Sequence, residues 1–209
     1  MFEKTNWKAV SAEIMGTFFL VFFGVSALAN NDTTIINNDG VAESSFTGFV
    51  GLITLALTLF VLVHILGPVS GCHLNPIITI PTFLSDKIDR DTTVAYICGQ
   101  VIGACLGFYL FNLINPGTND SVLDGDSALL LAAAVGTTFF VTSLLTTQDP
   151  ASIGATLFIV SSTAFGDVNP GVSLGNMIVS DVDFMFFGII GSLIGCVAGW
   201  AIKENIIDP

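Results

Sequence analysis

Apolar residues fall along this chain in six runs separated by short polar connections. The runs are roughly Val10–Ala29, Phe46–Gly67, Thr92–Ile114, Ser127–Thr147, Ala151–Ala164 and Asp183–Ile202. A helix that crosses the bilayer core needs about 20 predominantly apolar residues. The pattern therefore predicts six membrane-spanning helices, the fifth of them short. Two further apolar pieces, Pro76–Leu84 and Pro170–Val179, are too short to span. They read as re-entrant segments, which are tolerated only where they are buried in protein or line a water-filled cavity.

The pattern repeats. Ala12–Phe19 returns as Ala132–Phe139, the Asn75-Pro76 pair as Asn169-Pro170, and Gly103–Gly107 as Gly191–Gly195. The halves, about 1–114 and 127–209, each hold three spans and one re-entrant piece. Three is odd, so the second half enters the membrane upside down. Such inverted repeats place a pathway near the bilayer midplane, between the halves. The expected fold is an all-α membrane protein, one channel domain over 1–209, with six transmembrane helices and two re-entrant half-helices.

Charge adds orientation. The five basic residues (Lys4, Lys8, Lys87, Arg90 and Lys203) all fall on one side of a six-span chain. The positive-inside rule makes that side cytoplasmic and puts both termini there. The loops expected outside, Asn30–Ser45 and Asn115–Asp126, are acidic and lack Lys and Arg. Lys4 and Lys8 before an apolar run also suit a cleavable leader. Glu13 and Gly16 interrupt that run, and its later copy favours a retained span.

Composition narrows the function. Of 209 residues 52% are hydrophobic and 11% charged, against about 25% charged in a soluble domain. With 5 Lys+Arg against 17 Asp+Glu, no basic stripe exists to hold nucleic acid. The four cysteines lie in or beside apolar runs without metal-ligand spacing. No nucleophile–base pair, phosphate loop, metal cluster or cofactor motif appears, so an enzyme is not expected.

The Asn-Pro pairs carry the chemistry. Asn is a favoured N-cap, and Pro suits the first helical position. Two inverted half-helices starting there would face each other with their N-termini, each bearing roughly half a positive charge. That junction repels cations and protons, while Asn amides donate to a passing oxygen. This describes a conduit for small uncharged molecules.

Ser70-Gly71-Cys72-His73-Leu74-Asn75-Pro76-Ile77-Ile78-Thr79 resembles the first signature of the aquaporin family of water and glycerol channels. Asn169-Pro170-Gly171-Val172-Ser173-Leu174-Gly175 resembles the second, Ala12–Phe18 the first-span motif and Ala95–Ala104 the third. The resemblance covers nearly the whole chain. It implies a passive channel for water and small neutral solutes such as glycerol or urea, with one pore per subunit in a homotetramer. It makes Asn75 and Asn169 the paired pore asparagines and Glu13 a buried brace for the re-entrant backbone. A carboxylate inside a membrane needs a partner, and His73 is the candidate. Gln100 is expected to brace similarly. Cys72 is expected near the cytoplasmic mouth. Gly16, Gly103, Gly107, Gly136, Gly191 and Gly195 read as close helix contacts.

The chain departs from the family in its second half. The Arg three residues after the second Asn is Val172 here, the usual Ala after the second Asn-Pro is Gly171, and the counterpart of Glu13 is Ala133. Family spacing from Asn75 places Leu55 on the helix-2 wall of the outer constriction, but the helix-5 wall residue cannot be placed. The repeat offset falls from 120 (Gly16 to Gly136) to 94 (Asn75 to Asn169). The expectation is a fifth span that stops near the midplane, with the Pro170 half-helix completing the crossing. That would leave a wide outer mouth, a relaxed filter, and Asp167, Asp181 and Asp183 either lining it or solvated in loops. A cation- or proton-permeable channel and a non-conducting assembly protein are the alternatives.

Overall fold

The computed structural model describes residues 2–3, 5–31, 35–36, 42–43, 46–114, 127–163, 168–180 and 186–207. Asp167, Asp181, Asp183 and most of the two acidic loops lie outside them. The elements are α1 (Trp7–Phe19), a π-helical continuation (Leu20–Val25), α2 (Ser26–Asn31), α3 (Phe46–Ser70), α4 (Pro76–Leu84), α5 (Arg90–Ile114), α6 (Ser127–Thr146), α7 (Pro150–Thr163), α8 (Pro170–Ser180) and α9 (Phe186–Ile202). A two-residue antiparallel ladder pairs Ile35 with Glu43 and Ile36 with Ala42.

Among the described residues the structure is a bundle of six apolar helices with two half-helices, α4 and α8, turned into it. Trp7–Leu28, Phe49–Ser70, Arg90–Ile114 and Phe186–Ile207 are each long and apolar enough to cross a membrane; Leu130–Thr146 and Pro150–Ser162 are shorter apolar helices. On α5, Ile102, Leu106, Tyr109 and Leu113 form an exposed stripe. In water such a stripe would be an adhesive patch; in a bilayer it is the lipid face.

Glycines set the distance between helices, and they do so twice. Gly99, Gly103 and Gly107 follow the i, i+4 spacing of one helix face and seat α5 on α1. A Cβ on Gly103 would overlap Ile14 O, and one on Gly107 would lie 2.8 Å from Val21 Cβ. Gly191, Gly195 and Gly199 seat α9 on α6 in the same way, Gly195 against Ala134 O and Gly199 against Thr138 O. The two helix pairs are the halves of the repeat.

The basic residues among those described gather at one end. Phe2 N donates to Asp91 Oδ2 (2.6 Å), which ties the start of α1 to that of α5. Ser85 Oγ donates to Glu204 Oε1 (3.0 Å), and Trp200 Nε1 donates to Ser85 Oγ (2.9 Å), which tie the end of α4 to the end of α9. Lys8, Lys87, Arg90 and Lys203 therefore mark a basic end.

The fifth span is short, but its shortening falls elsewhere than the sequence suggests. α7 has 14 residues, about 21 Å of helix. It runs antiparallel to α3. Phe158 meets Phe49 edge to face at 5.9 Å, near the far-end start of α3, and a Cβ on Gly154 would lie 2.8 Å from Ala56 O. Pro150 borders one cavity with Val63, Gly67 and Pro68. So α7 passes the midplane and approaches the far end. The missing turn is at the basic end, where the non-helical Thr147–Asp149 connection lets the helix begin late. A fifth span halted at the midplane is thus overturned, and α8 is a half-helix in its own right.

Asp149 caps this short helix. Its Oδ2 accepts from Ser152 N (2.9 Å) and Ser152 Oγ (2.6 Å), and these bonds hold the exposed carboxyl below its ordinary pKa. A depressed folded pKa contributes stability that is complete above the unfolded value of about 3.9 and fades as pH falls through the folded one. Protection of the first-turn amides of α7 against hydrogen exchange, taken relative to the intrinsic rate at each pH, should therefore fall on acidification below about pH 4. Asp149→Asn should keep a cap and lose that pH dependence. Equal acid sensitivity in both proteins would refute the assignment.

Candidate functional site

The Gly71–Leu74 segment turns the chain from α3 back into the bundle through a rare backbone. Gly71, Cys72 and Leu74 have φ of 84°, 51° and 50°, a left-handed region that non-glycine residues seldom adopt. What holds it is Glu13. Its Oε1 accepts from Ser70 Oγ (2.7 Å) and His73 N (2.9 Å), and its Oε2 from Leu74 N (2.7 Å) and Gln100 Nε2 (2.8 Å). Glu13 and Gln100 are both fully buried. The contact with His73 is therefore through its backbone, not its ring. The imidazole pairs instead at Nδ1 with Thr79 Oγ1 (3.2 Å) and meets the Tyr96 ring edge-on at 5.4 Å. Gln100 Nε2 also donates to Thr79 Oγ1 (3.0 Å), which binds the loop to α4. In the second half Ala133 stands at the place of Glu13 and Gly188 at that of Gln100, so neither position supplies a polar side chain.

Both asparagines cap their half-helices. Asn75 Oδ1 accepts from Ile77 N (3.1 Å), and Asn169 Oδ1 from Gly171 N (3.2 Å) and Val172 N (3.3 Å). Their amides then cross the junction. Asn75 Nδ2 donates to Val168 O (2.7 Å), and Asn169 Nδ2 donates to Leu74 O (3.0 Å). Each asparagine thus bonds the carbonyl that precedes the other. The half-helix N-termini touch at Pro76 and Gly171, where an added Cβ would lie 3.0 Å from Pro76 Cδ. Gly171 leaves room for this approach, while its counterpart after Pro76 is the fully buried Ile77.

Two cavities adjoin at His73 and Leu144. One, of ≈ 220 Å³, includes Leu55, Leu74, Asn75, Asn169 and Val168 in its lining. The other, of ≈ 560 Å³, lies toward the basic end and is bordered by Cys72, His64, Lys87, Gln148 and Pro150. His73 and Leu144 belong to both. The larger cavity opens where α7 begins late. The far cavity depends on the π-helical turn of the first span. Eight residues of regular α-helix would set Leu20 and Leu28 about 80° apart, yet both line it. The i→i+5 ladder underwinds the helix there, and Ser26 Oγ donates to Val21 O (3.0 Å) within it.

Val172 departs from its sequence-based place. It lines neither of these cavities and packs with Val21, Ala104 and Phe108, because the α8 face that carries it turns toward α5. An Arg at that position would be a buried charge before it was a filter. Leu157 of α7 lines the far cavity together with Leu55, and the sequence did not identify it. Counting back from Asn169 would have required the level at which α7 begins.

The profile of the family described as "Major intrinsic protein" matches residues 1–153. The chain belongs to this family. The profile match ends at the start of α7, while the likeness in three dimensions continues through the second half. The X-ray structure of the aquaglyceroporin from Plasmodium falciparum superposes with a TM-score of 0.70 over 96% of this chain and 96% of that one, at 18% identity. Aquaporin NIP1-1 of Zea mays is 29% identical over 92% of this chain and 72% of its own length. Aquaporin AqpM of Methanothermobacter thermautotrophicus is 34% identical over 50% of this chain and 46% of its own. This major intrinsic protein is accordingly an integral membrane protein with the aquaporin fold.

Cys72 offers a chemical probe of the pathway. It borders the larger cavity although it is 4% exposed, whereas Cys98 is exposed on α5. A small mercurial should slow flux in the wild type and leave Cys72→Ser unaffected, with Cys98→Ser still inhibited. Equal inhibition of all three would remove Cys72 from the pathway.

Proposed function

We propose that the protein is a passive membrane channel for water and small neutral solutes, glycerol and urea among them. Its family supports a water or small-solute channel. The observation that carries the finer reading is the reciprocal crossing of Asn75 and Asn169 on the wall of the far cavity, which shares His73 and Leu144 with the cavity at the basic end. The N-termini of α4 and α8 converge there, and their dipoles favour negative over positive charge. A cation arriving from either end meets that field after losing part of its hydration, so it is repelled. A neutral molecule meets only the asparagine amides, which offer hydrogen bonds without fixed charge. Asn75 has a second amide proton beyond the one given to Val168 O, and the residue borders the far cavity.

The basic end is read as cytoplasmic by the positive-inside rule, and the assembly as a homotetramer in keeping with the family. Stopped-flow light scattering on proteoliposomes shocked with an impermeant osmolyte tests the function. Shrinkage well above that of empty liposomes, with weak temperature dependence, is expected, together with no current in a planar bilayer. Shrinkage equal to empty liposomes would overturn the reading, and a cation current would replace it.

A further inference from the structure

The first span passes through a π-helical turn at Leu20–Val25, while its copy in the second half does not. α6 is regular helix over the matching residues, and Phe140 and Leu144 reach the far cavity from successive turns of it. Threonines on α6 donate to the carbonyl four residues back, as Thr138 does to Ala134 O and Thr142 to Thr138 O (both 2.7 Å). Ser26 reaches back five. Val21 O accepts both its N–H and its hydroxyl, the latter at 3.0 Å. A serine inside a regular helix bonds three or four residues back, so this hydroxyl belongs to the π ladder. Ser26 is buried, which keeps water from competing for the bond.

The register of the span follows from this turn. In regular helix the residue seven after Leu20 lies about 20° from it and the residue eight after about 80°. Ala27 is the seventh and Leu28 the eighth, yet it is Leu28 that lines the far cavity with Leu20. Packing fixes the path of the helix. A Cβ on Gly24 would lie 2.8 Å from Leu55 Cδ1, and one on Gly51 would lie 2.9 Å from Ala27 O, so both flanks of Ser26 are seated on α3. The path leaves open how many residues are spent along it.

We infer that Ser26 is a positioning residue of the channel. Its hydroxyl latches the π turn and so keeps Leu28, rather than Ala27, on the wall of the far cavity. Without the latch the extra residue is free to leave the turn, and the span beyond it rotates by about 100°. The bearing of Ser26 on transport rests on the channel reading above. The assignment of the register does not, and the test reads it without flux.

Leu28→Cys and Ala27→Cys are made separately in the full chain, and proteoliposomes of each are treated with a small water-soluble methanethiosulfonate. Peptide mass reads the rate at the introduced site, so the native cysteines stay in place. Leu28→Cys should label faster than Ala27→Cys, and the ratio of the two rates reports the ratio of the two registers. Ser26→Ala should lower that ratio about fivefold, the worth of one intramolecular hydrogen bond. Ser26→Thr, which keeps the hydroxyl, should hold it. Deleting Phe23, which is exposed, removes the extra residue and puts Leu28 seven after Leu20. On that background Leu28→Cys should still label faster, and Ser26→Ala should leave the ratio alone. Equal labelling of the two sites in the presence of Ser26 would overturn the inference. So would a ratio that Ser26→Ala leaves unchanged, or one that Ser26→Thr lowers as far. A fivefold fall with Ser26→Ala on the deleted background would overturn it too, since the hydroxyl would then act elsewhere. If Ser26→Ala does not fold in the full chain, the labelling order and the deleted pair decide. Labelling as expected without protein-dependent water flux would overturn the channel reading and remove the role of Ser26 in transport.

Discussion

Glu13→Ala should abolish flux and lower the stability of the detergent-solubilised protein more than any other single truncation of a buried polar side chain. The carboxylate accepts four hydrogen bonds, from Ser70 Oγ, His73 N, Leu74 N and Gln100 Nε2. Alanine leaves these donors in a place water does not reach, and each unpaired buried group costs about 1–3 kcal/mol. The loss also travels to the crossing. Leu74 gives its N–H to Glu13 and its carbonyl to Asn169, so the same peptide segment links the brace to the second half. Without the brace, the left-handed Cys72 and Leu74 have nothing to hold them in a conformation that costs of order 1–3 kcal/mol each. Glu13→Gln should fall between, because an amide keeps one acceptor oxygen and brings two N–H donors to a site already full of donors. Thermal unfolding and stopped-flow flux on the same preparations check this. Wild-type melting with wild-type flux in Glu13→Ala would refute the role.

Gly103→Ala should weaken the bundle although it adds a single methyl group. The methyl would overlap Ile14 O and lie 3.0 Å from Phe18 N. Backbone atoms cannot rotate away as a side-chain tip can, so α1 and α5 must separate. Overpacking of this kind costs about 1–3 kcal/mol. Gly195→Ala should behave alike, since it meets Ala134 O across the equivalent α6–α9 contact. Gly67→Ala is the packing control, because nothing beyond its chain neighbours lies within 4 Å of its added Cβ; the following Pro68 disfavours helical backbone at a residue with a Cβ, so no gain in helix propensity is expected. Melting temperatures of the three variants should therefore split two against one. If all three melt together, close packing at these glycines is not what holds the helices.

The contrast between what the sequence discloses and what it hides follows from the range of each signal. Span positions, the two capped half-helices and the inverted repeat are local patterns, and α4 starts and ends where the apolar run after Asn75 does. The Gly103–Gly107 stripe could have been extended to Gly99, and Gly191–Gly195 to Gly199, by the same i+4 spacing. The level of α7 is not local. It depends on how Gly154 and Phe158 meet α3, and a residue count alone placed its missing turn at the wrong end. The same uncertainty concealed Leu157. Val172 shows a further limit, because family spacing identifies a position while the packing of α8 on α5 decides which way it faces. The π-helical turn at Leu20–Val25 gave no sign in the pattern of apolar residues.

The unequal bracing of the two re-entrant loops bears on how the chain is built. The side chains that brace the first loop, Glu13, Ser70, Thr79 and Gln100, all lie before the end of α5. That portion contains what holds the N–H groups of its loop while the remainder is still on the ribosome, and chains tend to settle from the N-terminal side during synthesis. The second half has Ala133 and Gly188 where those partners would be, and its Asn169 finds an acceptor in Leu74 of the first. Assembly in the bilayer therefore has a direction, with the early half serving as the template on which the late half docks.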